Sequence, residues 1–217
     1  MEYARLYPFW ELLTEEQKSY IKQYCYQETY QKGMLMHRSK DSCKGLITVL
    51  SGQLRTYLMS DEGREVTLFR VNGGEVCVLS TTSLMDSIEY DVLIEPTEKT
   101  EVLILPTDCL NHILADNPHM ELFLYKTAAE RFSEVMWTIQ QILFQRIDQR
   151  VAAFLWDEYV RSKELTLCLT HDEIARNIGS AREVVSKALK YLAENGLIEL
   201  KRGKIVIIDT EKLKSFL

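Results

Sequence analysis

The chain is poor in the residues that interrupt or cross-link a fold. Four prolines and nine glycines among 217 residues, with no low-complexity tract, exclude a collagen-like, proline-rich or linker-dominated chain. Five cysteines, Cys25, Cys43, Cys77, Cys109 and Cys168, are never closer than 18 positions. That spacing supports neither a local metal knuckle nor a dense disulfide framework, and leaves most of them as small buried apolar residues. Long apolar runs are missing too: charges interrupt every candidate before the ~18 residues a membrane helix needs. The opening MEYARLYPFWELL carries acidic and aromatic residues where a secretory signal has a basic head and an unbroken apolar core. The expectation is a soluble, cytoplasmic protein with no membrane partner. Histidines are few and unpaired, with no H-x-H, so a small-molecule enzyme built on a metal triad finds no support, and the chain is read as a non-enzyme.

What is present is 46% apolar sequence, enough for a sizeable core in one or two domains. The net charge of -6 is unevenly spread. Residues 1 to 146 hold 14 basic and 21 acidic side chains, a balance of -7, whereas residues 147 to 217 hold 12 and 11, a balance of +1. The acidity therefore belongs to the first part, and the second keeps a locally basic surface able to approach DNA.

The texture along the chain changes three times. A short helix is expected up to about residue 20, started by Thr14 with Glu15, Glu16 and Gln17 behind it. From about 28 to 108, GLITVLSG, QLRTYLM, REVTLFRV, VLIEP and TEVLILP read as short strands separated by turn sequences such as SDEGRE and NGGE. Such strands favour an antiparallel barrel, roll or jelly roll. TTSLMDSIE at 81–89 reads as a short helical or loop insert facing a cavity. After Pro118 a helical pattern runs to about 144, some 39 Å at ~1.5 Å per residue. Ala128, Phe132, Val135, Ile139 and Ile142 follow a four-three-four-three spacing, which suits either packing on the same domain or a parallel helix pair in a homodimer. A further helix begins near 148 with Val151, Phe154, Leu155 and Tyr159 on its apolar face, and LTLCLTHD contains a small strand.

Thr170 and Glu173 form a T-x-x-E capping box, so HDEIARN is a short helix with Ile174, Ala175 and Ile178 inward. Gly179 permits a sharp turn. A second helix over 181–194 buries Val184, Val185, Ala188, Leu189 and Leu192 and stops at Asn195-Gly196. Two short helices joined in this way read as a helix-turn-helix whose second member enters a major groove. On that helix Arg182 can present two N–H donors to guanine, Glu183 can accept from cytosine, and Lys187 can add a guanine or phosphate contact. Thr170 and Ser180 stand where hydroxyls and helix-end N–H groups meet phosphate, with His171 and Arg176 assisting. LIEL and KIVIID flank KRGK, which reads as a hairpin wing carrying Lys201, Arg202 and Lys204 at its tip.

These residues resemble the transcription regulators of the Crp/Fnr superfamily, typified by the cyclic-AMP receptor and the fumarate-nitrate regulator. LTHDEIARNIGSAREVVSKALKYLAENGLIEL, residues 169–200, resembles their winged helix-turn-helix, and VLSGQLRTYLMSDEGREVTLFRVNGGEVCVL, residues 49–79, resembles their effector-binding roll. The resemblance implies an α+β fold. An N-terminal antiparallel β-roll, a double-stranded β-helix of the cyclic-nucleotide-binding type, spans 1–117; a long dimerisation helix spans 118–146, and a winged helix-turn-helix spans 147–217. It also implies base contacts at Arg182, Glu183 and Lys187 and a phosphate contact at Thr170. Alanine at 181, where the family has serine or a similar residue, leaves Ser180 as the nearer hydroxyl. The implied partners are double-stranded DNA with a palindromic operator, a second copy of the chain, RNA polymerase, and a small-molecule effector that the sequence does not identify.

The effector pocket is expected around Gly74, Glu75, Cys77 and Ser83. Cyclic-nucleotide binders of the family use a Gly-Glu pair, the glutamate on ribose hydroxyls, and then an arginine at the cyclic phosphate. Gly74 and Glu75 match the pair, but no arginine occurs between Arg70 and Arg131. Lys99, the one lysine in that span before the long helix, is placed in a strand. A buried phosphate lacking a cation loses the charge-assisted bonds that offset its desolvation, so cyclic AMP is not the expected effector and Glu75 is read as capping its turn. The clustered amino-terminal cysteines of the iron-sulfur branch are missing. His37, His112, Cys77 and Cys109 remain as weakly supported haem ligands. A constitutive DNA-binding regulator, a haem or redox sensor, and a protein-only adaptor using the wing are the alternative readings.

Overall fold

Residues 3–38, 44–78 and 92–217 are described in the computed structural model, and they divide into two compact units. Met1–Leu58 and Leu68–Val135 form the first; Met59–Thr67 and Met136–Leu217 form the second. Ser83 and the 81–89 insert lie outside the described residues, as does Cys43.

The N-terminal segment is divided into three pieces where one short helix was expected: α1 (Tyr3–Leu6), a 3-10 turn (Trp10–Leu12) and α2 (Glu15–Tyr24). Pro8 separates the first two, and α2 starts where Thr14 and Gln17 bond each other's backbone N–H at 3.1 Å. The strands follow: β1 (Tyr26–Tyr30), β2 (His37–Arg38), β3 (Leu46–Ser51), β4 (Gln53–Met59), β5 (Glu65–Asn72), β6 (Val76–Cys77), β7 (Val92–Pro96) and β8 (Thr100–Leu105). They make two four-stranded sheets, ordered β1-β8-β3-β6 and β2-β7-β4-β5. In β3, Ile47 and Val49 face a core shared with Leu54, Ile94 and Ile104, while Leu46 faces a second core built with Tyr7, Leu103, Leu110 and Met120. A strand covered on both faces loses the apolar-polar alternation, which is why β3 and β8 read as continuous apolar runs. Gly45 admits the close approach of β8: a Cβ there would stand 2.0 Å from the Leu105 carbonyl oxygen.

Lys99 corrects the sequence reading. It lies in the exposed turn between β7 and β8, not in a strand, because the Thr97 and Thr100 hydroxyls donate to Gln53 O at 3.4 and 3.2 Å and close the turn. Helix α3 (Thr107–Leu114) was not foreseen. Asn117 starts α4 (Pro118–Phe144) by accepting from the His119 and Met120 amides at 3.1 and 3.0 Å, with Pro118 at the first position, where a missing N–H costs nothing. Met120, Leu124, Thr127 and Arg131 form its buried stripe.

The second unit continues with α5 (Ile147–Ser162), β9 (Thr166–Leu167), α6 (His171–Ile178), α7 (Arg182–Glu194), β10 (Ile198–Lys201), β11 (Lys204–Ile207) and α8 (Thr210–Ser215). Val151, Leu155, Ile174, Val185, Leu189, Leu192, Ile205 and Leu213 meet in its core. The wing is a three-stranded sheet, β10-β11-β9. Among the described residues no helix is long and apolar enough to cross a membrane.

Candidate nucleic-acid interface

Helix α6 begins where the sequence places it. Thr170 Oγ1 accepts from the Glu173 amide at 3.1 Å and donates to Glu173 Oε2 at 2.9 Å, while the Thr170 amide donates to the same carboxylate at 2.8 Å. The Thr170 hydroxyl is thus occupied by the capping box. At the other end Gly179 adopts φ +66°, a left-handed conformation that favours glycine, and α7 starts three residues later. Arg150 on α5 donates to the Ile178 carbonyl and so holds the end of α6 to the core.

Helix α7 turns Arg182, Glu183 and Lys187 outward together, all exposed. Val185, Ala188, Leu189 and Leu192 are buried beneath them. Val184 corrects the expectation of burial: it is 40% exposed, because it lies about 100° around the helix from Val185 and falls on the outer face with the charged residues. Arg182 Nη1 stands 3.7 Å from Asp172 Oδ2, with both side chains more than half exposed, a loose pair that a phosphate or base can replace at little cost. His171 Nδ1 and Ser186 Oγ are 2.7 Å apart, so the expected backbone contact and the outer face of α7 are joined by a hydrogen bond. Ser180 is half-buried, and the Ala181 side chain gives no cap to α7; the Val184 and Val185 amides donate to the Ala181 carbonyl at 3.1 Å, which leaves the Arg182 and Glu183 N–H groups for another acceptor.

The wing presents Lys201, Arg202 and Lys204 at an exposed tip, where Lys201 pairs across from Lys204 and Gly203 takes φ +71°. Lys201 also reaches Glu199 at 2.9 Å.

In the first unit, Gly74 and Glu75 come together in the turn before β6, whereas Cys77 points into the core with none of its surface exposed. Glu75 Oε2 accepts from the Asn72 amide at 2.9 Å, the turn cap read from sequence. It also receives Arg131 Nη2 at 3.1 Å, a partner that sequence distance concealed. Arg131 is buried, grips both oxygens of Glu134 at 2.8 and 2.9 Å, and lies over the Phe69 ring. The His112 ring lies against Tyr20 with centroids 4.7 Å apart and planes tilted by 43°. Burial pushes the Cys109 thiol up to about 11, away from the thiolate that ligates metal. His37 lies in β2. Among the described residues no three His, Cys, Asp or Glu side chains converge as a metal site.

Along α4, Ala128 packs against the core that holds Met120 and Leu124, and Val135 against the core between the sheets. Phe132, Ile139 and Ile142 are exposed instead, together with Leu122, Tyr125, Met136 and Leu143.

Residues 149–216 match the model of the Crp-like helix-turn-helix domain. A solved Crp/Fnr-family structure from Eubacterium rectale is 39% identical and superposes with a TM-score of 0.93, covering 97% of this chain and 98% of its own. The chain belongs to the Crp/Fnr family. Among its curated relatives, the transcriptional activator anr of Pseudomonas aeruginosa is 26% identical over 84% of this chain and 76% of its own. The cyclic AMP receptor protein of Thermus thermophilus is 26% identical over 95% of each. As a Crp/Fnr member the protein is a DNA-binding transcription regulator, not an enzyme, with an N-terminal sensor domain and a C-terminal helix-turn-helix.

Proposed function

We propose that this Crp/Fnr regulator works as a cytoplasmic homodimer whose paired α7 helices read the two halves of a palindromic operator. The observation that carries this reading is the joint exposure of Arg182, Glu183 and Lys187 on a helix set by a capped α6 and a glycine turn. Arg182 and Lys187 serve as base-edge donors, Glu183 as an acceptor from cytosine, each good pair contributing about 1–3 kcal/mol of discrimination. His171, Ser180 and the wing cations Lys201, Arg202 and Lys204 serve the phosphates, His171 through the ring nitrogen not bonded to Ser186, while Thr170 reaches a phosphate only by releasing the Glu173 carboxylate to which its amide and hydroxyl now donate.

The division of labour is a roll at 1–117, a pairing helix at 118–146 and a reader at 147–217. The pairing seam is the exposed series Leu122, Tyr125, Ala129, Phe132, Met136, Ile139 and Leu143, which repeats in steps of three and four. RNA polymerase is the partner through which a bound dimer acts on transcription.

The effector remains a small molecule other than cyclic AMP, although a similar protein is a cyclic AMP receptor. Glu75, the residue the family offers to ribose, is engaged by Arg131, and the sequence between Arg70 and Arg131 brings no arginine for a phosphate. Calorimetry with cyclic AMP is expected to give no saturable micromolar heat. The test of the whole reading is selection of duplexes from a random library by the purified protein. A palindromic motif is expected, lost on Arg182→Ala; no motif in any ligand or redox condition overturns it.

A further inference from the structure

The recognition turn has an acidic neighbour. Within the second unit, Met59–Thr67 lies against the junction of α6 and α7. The buried Thr67 donates its hydroxyl to Asn177 Oδ1, in the last turn of α6, at 3.2 Å. Val66 occupies the place a side chain at Gly179 would take: a Cβ there would be 2.6 Å from Val66 Cγ2. The turn preceding them is closed by the Ser60 amide on the Arg64 carbonyl at 2.8 Å and the Gly63 amide on the Ser60 carbonyl at 2.9 Å. Glu62, Arg64 and Glu65 then line, with Ser180 and Arg182, a cavity of about 350 Å³. That space, open to solvent, has room for about twelve waters at ~30 Å³ each.

The charges on the two sides are complementary. Asp61, Glu62 and Glu65 against Arg64 give the segment a balance of -2; across from it Arg176 and Arg182 against Asp172 give +1. A carboxylate-bearing turn therefore stands beside Ser180 and Arg182, where like charge would oppose an approaching phosphate. We propose that Met59–Thr67 is an autoinhibitory segment: seated on Gly179 and Asn177, it stands beside the largely exposed Ser180–Arg182 turn, and DNA engages that turn in full only after the segment has left. The proposal rests on α7 being the DNA-reading helix.

Two measurements test it on the full-length protein, using a duplex selected from the random library. In the first, Val66→Ala combined with Glu62→Gln and Glu65→Gln removes the seat against Gly179 and the two carboxylates that line the space, without touching α6 or α7. The dissociation constant is expected to fall at least tenfold, with Arg182→Ala abolishing the gain; an unchanged or weaker affinity overturns the proposal. In the second, Gly63→Cys and Ala181→Cys in a Cys168→Ser background are joined by a reducible bismaleimide. Binding is expected to be lost on cross-linking and restored on cleavage of the linker, whereas a cross-linked protein that binds as tightly as before overturns the proposal even if the triple variant is poorly folded. Arg182-dependent binding that ignores both manipulations removes the autoinhibitory segment alone. Absence of Arg182-dependent binding in every variant removes the DNA-reading assignment, and the segment's role with it.

Discussion

At the scale of single residues, Arg131 carries more than its place in the sequence announces. Linear reading treats it as the far end of an arginine-free span; in the fold it closes a gap of 56 positions to reach Glu75. Nothing local encodes that meeting, because it follows from how α4 crosses the turn before β6. Replacement by methionine keeps the contact with Phe69 but leaves two carboxylates facing each other without their cation. Since both carboxylates are about 40% exposed, water screens much of the loss, and Arg131→Met is expected to cost about 1–2 kcal/mol in urea unfolding. The cysteines give a second residue-scale expectation. Burial pushes Cys25 up to about 12 and Cys109 up to about 11, Cys77 is enclosed, and Cys168 is exposed. A thiol reagent at pH 8 should therefore modify Cys168 at least tenfold faster than Cys25, Cys77 or Cys109, read by mass spectrometry of native protein. Equal rates would show that the cores open readily.

At the scale of elements, what was legible in the sequence is what local chemistry decides. The T-x-x-E box, the left-handed glycine and the polar face of α7 are short-range signals, and α6 and α7 form within a residue or two of where those signals lie. Strands β3, β4, β5, β7 and β8 announced themselves as apolar runs between turns. Strands β2 and β6, two residues each, and the mostly exposed β1 did not, since their existence depends on partners far along the chain. The phase of α4 was ambiguous for a different reason. Ala128 and Val135 continue one three-four series and Ala129 and Met136 another, both passing through Phe132 and Ile139. Only packing against the roll decides which series is left open. Helix ends supply the test at this scale. Lys163 ends α5 at φ +60°, a conformation that costs a residue with a Cβ about 1 kcal/mol or more. Lys163→Gly is expected to stabilise the protein by about 0.5–1 kcal/mol in thermal unfolding, and Thr170→Ala to destabilise it by about 1 kcal/mol through loss of the α6 cap.

At the scale of the whole molecule, the exposed face of α4 is an unfinished surface. Phe132 is 65% exposed and Leu143 67%, on a helix of 27 residues that buries only Met120, Leu124, Thr127 and Arg131. Covering that face with a second copy would bury apolar side chains at roughly 25 cal/mol per Å² and place two recognition helices on one duplex. The arrangement matters for affinity as much as for stability. Once one half-site is held, the second contact becomes intramolecular, so a dimer binds an operator 10² to 10⁴ times more tightly than a monomer making the same contacts. Charging the seam should separate these effects. Phe132→Glu with Ile139→Glu is expected to sediment as a monomer, to retain a folded roll and reader by circular dichroism, and to lose at least 10²-fold in operator affinity. The same protein should bind an isolated half-site as wild type does. A double variant that stays dimeric, or that keeps full operator affinity as a monomer, would remove this face of α4 from the mechanism.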